Sequence, residues 1–160
     1  MNGSLGTLDK KLLGDTAWNY SSFAALAFSG ILLNVFIAAQ FGTEALGQIN
    51  QIYAVYIVAA QLAVFGLHDS VQKYVAEHTG KIEPQRNASC VAFFLASITG
   101  VIFATCVWYM AEFIGNVAQS EPVGRGVALA APGIGLFAIN KVLLAVLNGQ
   151  RRMKAFAIIQ

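Results

Sequence analysis

The sequence predicts an all-α integral membrane protein with four transmembrane helices, the start of a fifth, and a cytoplasmic N-terminus. Three observations predict it. Of 160 residues, 57% are hydrophobic and only 11% charged, with a mean hydropathy of +0.62, where a soluble domain carries about 25% charged residues. Charge-free runs recur at the length a bilayer demands. The basic residues that separate those runs fall almost entirely on one side.

Residues 1–15 read as a cytoplasmic segment and 16–160 as a partial transmembrane lobe. Between Asp15 and Glu44 no charged residue occurs for 28 positions. Ala45 to Leu67 adds 23 more, Asn87 to Ala111 another 25, and Gly126 to Gln150 a further 25 interrupted once, by Lys141. A hydrocarbon core about 30 Å thick takes about 20 helical residues, so each run suffices. The expected spans are 16–41, 46–67, 87–111 and 126–148. The first is too long for a signal peptide, and three more follow it. Ala155 to Gln160 turns apolar again after the basic Arg151–Lys154 cluster. A fifth span is therefore expected to begin near 155, and the chain reads as the N-terminal fragment of a longer protein.

Eight of the ten Lys and Arg residues lie on one side of these spans: Lys10, Lys11, Lys73, Lys81, Arg86, Arg151, Arg152 and Lys154. The other side holds only Arg125, in the loop Glu112–Arg125, and none in the short loop Gly42–Leu46. That asymmetry places the N-terminus and the basic loops inside, in the cell membrane. Trp18 and Tyr20 then mark the inner interface, and Trp108 and Tyr109 the outer one.

The second helix is expected to continue past the membrane to about residue 79, because Val71, Tyr74, Val75 and His78 recur at helical spacing. Gly80 would stop it, and Pro84 suits the first turn of the next helix. The third span carries Ala88, Ala92, Ala96, Gly100 and Ala104, a small residue at every fourth position. Such a stripe lets another helix approach closely, as association within lipid requires. In the fourth span, Pro132-Gly133-Ile134-Gly135 predicts a kink or break, since proline removes a backbone donor. The outer segment with Gly115, Asn116, Glu121, Pro122 and Gly124 reads as a plain connector.

The residues that could carry chemistry are polar ones inside the spans. Lys141 lies about six residues, or ~9 Å, inside the Leu147 end of its run. A lysine near the bilayer centre costs roughly 2.5–3.5 kcal/mol, so it either faces a polar cavity or partner, or runs its stem to the inner interface. Asn140 is beside it. Asn34 is deep in the first span, and Asn50, Ala54, Ile57 and Gln61 share one face of the second. These side chains either line a hydrated path or hydrogen-bond between helices.

Enzyme chemistry finds no support. His68 and His78, ten residues apart, fall on different helix faces, so a shared metal site is not expected. No nucleophile–base pair, phosphate loop or catalytic residue stands out, and no cofactor or metal is implied. Cys90 and Cys106 would lie roughly 24 Å apart on one helix, too far for a disulfide, and read as small buried apolar residues. Nothing resembles a nucleic-acid-binding tract.

Three segments together resemble a known family. Phe41-Gly42-Thr43-Glu44-Ala45-Leu46-Gly47 looks like the first outer turn of polysaccharide flippases. Phe65-Gly66-Leu67 with Ser70 and Lys73-Tyr74-Val75-Ala76-Glu77 looks like the inner end of their second helix. Leu147-Asn148-Gly149-Gln150-Arg151-Arg152 resembles the loop leading to their fifth. Order, spacing and charge topology also fit the Wzx-type oligosaccharide flippases of the multidrug/oligosaccharidyl-lipid/polysaccharide exporter superfamily.

The resemblance implies part of the N-terminal lobe of a two-lobed transporter that flips a polyprenyl-diphosphate-linked oligosaccharide by alternating access, in cell-surface polysaccharide biosynthesis. Lipid-linked oligosaccharide, membrane lipids, glycan polymerase and glycosyltransferases are the implied partners. Lys141 would bind the diphosphate, with Asn140, Asn34 and Gln61 as further substrate contacts. The span from Thr16 to Thr43 lacks the carboxylate that related multidrug antiporters place there, and the arginine of peptidoglycan-precursor flippases. Both absences favour the polysaccharide branch. The alternatives are a cation-coupled multidrug exporter of the same superfamily and, from another class, a non-transporting membrane scaffold or subunit.

Overall fold

The computed structural model is all-helical, in the order α1 (Asn2–Val64), α2 (Leu67–Glu77), α3 (Ile82–Val117), α4 (Glu121–Gly149) and α5 (Met153–Ile159). It describes the backbone of residues 2–159, and side chains at 16, 20, 21 and 23–159. The expected positions of the Lys10, Lys11 and Trp18 side chains lie outside the described residues. Three helices are long and apolar enough to cross a membrane: Phe23–Val64, Ile82–Val117 and Glu121–Gly149, of 42, 36 and 29 residues. By length and composition the chain is a helical membrane protein.

Several boundaries differ from the sequence expectation, each for a local reason. The loop Gly42–Leu46 is absent: α1 stays helical on both sides of Gly42, whose φ of 85° and ψ of 169° form a single kink between two helices. That backbone region is essentially reserved for glycine. The second expected helix does not run on to residue 79. It ends at Val64, where Phe65 (φ 51°) and Gly66 (φ 73°) take left-handed geometry in succession. The chain restarts as α2, with the Ser70 N–H and hydroxyl both donating to the Gly66 carbonyl at 3.2 Å.

The outer connector is also shorter than expected. α3 runs to Val117 and α4 starts at Glu121, so only Ala118, Gln119 and Ser120 turn the chain. Pro122 sits in the first turn of α4, where a missing N–H costs nothing.

The expected break at Pro132 does not occur, and α4 is one helix from Glu121 to Gly149. Pro132 is exposed on its outer side, so its ring meets no neighbouring helix. The glycines around it serve close approach. Gly133 faces the Tyr56 ring, and Gly135 lies against the backbone of Gly100.

α4 is the central helix, packed against α1, α2 and α3. The second half of α1 runs parallel to it. Ile52 meets Gly126, Tyr56 meets Gly133, and Ala59, Ala60, Ala63 and Val64 cluster with Ile134 and Ala138. α3 runs antiparallel, pairing Gly115 with Gly124 and Gly100 with Gly135. A Cβ on Gly115 would lie 2.9 Å from the Gly124 Cα, so only glycine fits there. Ala92 and Ala96 are buried with Val142 and Ala145, with Ala88 half-buried against them, while Ala104 is half-buried against the cluster of Ala60, Ile134 and Ala138. Within lipid, such small-residue contacts supply the van der Waals packing that holds helices together.

α2 closes the end of the bundle formed by the C-terminus of α4. Its Val71 and Val75 are buried, and Gly149 abuts the Gln72 carbonyl and Val75. Burying a valine side chain away from water is worth roughly 1.5–3 kcal/mol. Gln85, in the first turn of α3, donates to the Val75 and His78 carbonyls at 3.1 and 3.0 Å and ties the α2–α3 turn. Cys90 and Cys106 are exposed on α3 and free, not buried as expected, because the α4-facing stripe is filled by smaller residues.

Candidate functional site

The polar residues of the spans are sorted to the outside of this bundle. Among the described residues no polar or charged side chain is buried in the core. On α1, steps of 100° per residue put Asn50, Ala54 and Gln61 on the side opposite Ile52, Ala59 and Ala63, which pack on α4, and all three are exposed. Ile57 on that side is half-buried. Asn34 is exposed, and its amide donates to the carbonyl of Gly30, one turn earlier, at 2.8 Å.

Lys141 is different. It is half-buried, and its ammonium lies 5.9 Å from the centroid of the Phe137 ring. Side chains on a helix lean toward the N-terminus, so the stem of Lys141 runs one turn deeper into α4 and away from the Gly149 end. A cation near an aromatic face is worth roughly 0.5–1 kcal/mol where exposed and more when desolvated, which offsets part of the cost of a lysine within a span.

Phe137 in turn meets Tyr56 of α1 edge-on, with ring centroids 6.2 Å apart, and Tyr56 stacks with Tyr53 at 6.5 Å. The Tyr56 hydroxyl donates to the Gly133 carbonyl at 3.2 Å. The lysine is thus the end of an aromatic row crossing from α1 to α4. Gly133 permits the crossing, since a Cβ there would stand 3.1 Å from the Tyr56 ring.

Of the four residues expected to bind substrate, only Lys141 joins this cluster. Asn140 is its exposed neighbour on α4, while Asn34 and Gln61 are not brought to it. Sequence reading missed Tyr53, Tyr56 and Phe137. The available signal was the i, i+4 spacing of Phe137 and Lys141; nothing local ties Tyr56 to α4.

A concavity of about 660 Å³ lies elsewhere, beside the α3–α4 turn. Trp108, Glu112, Asn116, Gln119 and Arg125 line it. Arg125 is sixteen residues from Lys141, or ~24 Å along α4, so this cleft is not the lysine's surroundings. Arg125 pairs with Glu121 across one helical turn, with both side chains exposed.

No metal site forms among the described residues. His78 stacks on Tyr74 with centroids 4.2 Å apart, and the Nε2 of His68 is 3.5 Å from Asp69. The histidines therefore have separate neighbours. Compared with models of protein families, with curated proteins and with solved structures, the chain matches none.

Proposed function

We propose that this chain is part of a membrane transporter of the Wzx flippase type, passing a polyprenyl-diphosphate-linked oligosaccharide across the cell membrane by alternating access. It acts by binding and conformational change and not as an enzyme. The observation that carries the reading is the direction of Lys141. Its ammonium lies beside the Phe137 ring, one turn nearer the middle of α4, which supports a charge kept inside the span. A fixed positive charge at that depth suits an anionic passenger, since charge-assisted hydrogen bonds to a diphosphate are strong in a dry site. The same charge would repel a cationic drug.

Two further features support it. The segment Phe23–Val64 is 42 residues long, or ~63 Å as one helix, about twice the hydrocarbon thickness. The glycine-only kink at Gly42 divides it near its middle. In this reading it forms two spans, for four in all, with the basic loops and N-terminus inside. The exposed Asn50 and Gln61 then face a second lobe or a hydrated path, since polar groups are costly against lipid.

The test replaces Lys141 in the protein as it is expressed in its cell. Lys141→Ala is expected to lower glycan delivery to the outer surface about tenfold or more at unchanged protein abundance, with partial recovery in Lys141→Arg. Undiminished delivery at normal abundance removes the lysine from the mechanism.

A further inference from the structure

We propose that the elbow between α4 and α5 is a binding site for a phosphate group carried on a lipid of the cytoplasmic leaflet. This rests on the orientation in the proposed function but not on transport. α4 ends at Gly149, and the chain turns through Gln150, Arg151 and Arg152 before α5. The Arg151 N–H donates to the Asn148 carbonyl at 2.8 Å and the Arg152 N–H to the Leu147 carbonyl at 3.0 Å. Arg151 takes a φ of 57°, a conformation uncommon outside glycine. The two arginines are therefore set by a hydrogen-bonded turn and not by a free loop.

Arg151, Arg152 and Lys154 line a concavity of about 500 Å³ whose other walls are Met153, Ala155 and Ile158. Cationic side chains beside an apolar wall match a lipid at the interface, with its phosphate at the head and hydrocarbon below. Both arginines are exposed, and neither makes a salt bridge among the described residues. The guanidinium fork fits phosphate oxygens in pairs, and basic pockets at the cytoplasmic ends of spans are suited to anionic headgroups. Neutralising the carbonyl end of α4 would also favour cations here, but that role requires neither the concavity nor the apolar wall.

The test uses the full chain in nanodiscs of phosphatidylcholine with a minority of phosphatidylglycerol, counting retained lipids by native mass spectrometry. A charge-assisted hydrogen bond from an arginine to a bound headgroup is worth roughly fivefold or more in affinity. Arg151→Gln with Arg152→Gln should therefore lower phosphatidylglycerol retention about twenty-five-fold, and the paired Arg→Lys variant should lose less. Arg86→Gln, on the same side but outside the elbow, should retain the wild-type preference. Unchanged retention in the Gln pair overturns the site, and an equal loss in Arg86→Gln reduces it to general surface charge and also overturns it. If the Gln pair loses helicity, the Lys pair decides: a partial loss of retention with intact helicity supports the fork, and none rejects it.

Inorganic pyrophosphate separates the two sources of the phosphate. Displacement of phosphatidylglycerol by it indicates a site that reads phosphate alone, as on a polyprenyl diphosphate. Resistance to it indicates a phospholipid site that also needs the acyl chains. Undiminished glycan delivery in Lys141→Ala with intact lipid retention would count against the proposed function alone.

Discussion

Gly100 of α3 and Gly135 of α4 face each other unequally: a Cβ on Gly100 would sit 2.9 Å from the Gly135 Cα, while one on Gly135 would meet Gly100 at an ordinary 3.6 Å. The two glycines are therefore not interchangeable. Gly100→Ala must push backbone against backbone and is expected to cost about 1–3 kcal/mol, as overpacked cores do. Gly135→Ala should be close to neutral. Thermal unfolding of the purified variants in one detergent checks the asymmetry, and equal costs would contradict the packing.

Gly126 offers the contrasting case. A Cβ there would stand 2.2 Å from the Cδ1 of Ile52, the far end of a flexible side chain. Gly126→Ala should destabilise less than Gly100→Ala, because a side chain can rotate where backbone cannot. Ile52→Val removes the nearest atom and should recover part of the loss. A double-mutant cycle measures it: independent, additive effects would place the two residues out of contact.

Tyr56→Phe removes the hydroxyl that donates to Gly133 at 3.2 Å while keeping the ring against Phe137. Interhelical hydrogen bonds in membranes average about 0.6 kcal/mol, so a loss near that size is expected. Tyr56→Ala should cost more, about 3 kcal/mol, since it also opens a cavity. Equal effects of the two substitutions would show that the ring does not pack.

Gly42 tests the arrangement of α1. Its φ of 85° and ψ of 169° should make Gly42→Ala about 1–3 kcal/mol less stable. In the four-span reading, with Cys90 and Cys106 replaced, Thr43→Cys should be labelled by an impermeant reagent from outside the cell, and Lys81→Cys only after permeabilisation. The reverse pattern would invert the topology.

The apolar runs and the stripe Ala92, Ala96, Gly100 were legible because composition and period report burial directly. The breaks were read less well. Gly42 and Gly66 were visible as glycines, but their effect on the helices depends on φ values that no neighbouring residue dictates. Pro132 leaves α4 a continuous helix, because a proline breaks a helix only when its lost bond and ring clash are not absorbed, and here its ring is exposed. Lys141 stood out as a charge in an apolar run. Its aromatic row did not, since Tyr56 and Phe137 are far apart in sequence and meet only through the small surface of Gly133.

The absence of polar side chains from the described core has a practical consequence. Cohesion falls to alanines, glycines and valines turned inward, while Asn50, Gln61, Asn140 and Lys141 lie around them. An engineer could therefore recast the interior for robustness, exchanging small residues wherever room permits, without touching the polar side chains outside it. Conversely, the peripheral polar residues could be exchanged while the scaffold kept its shape.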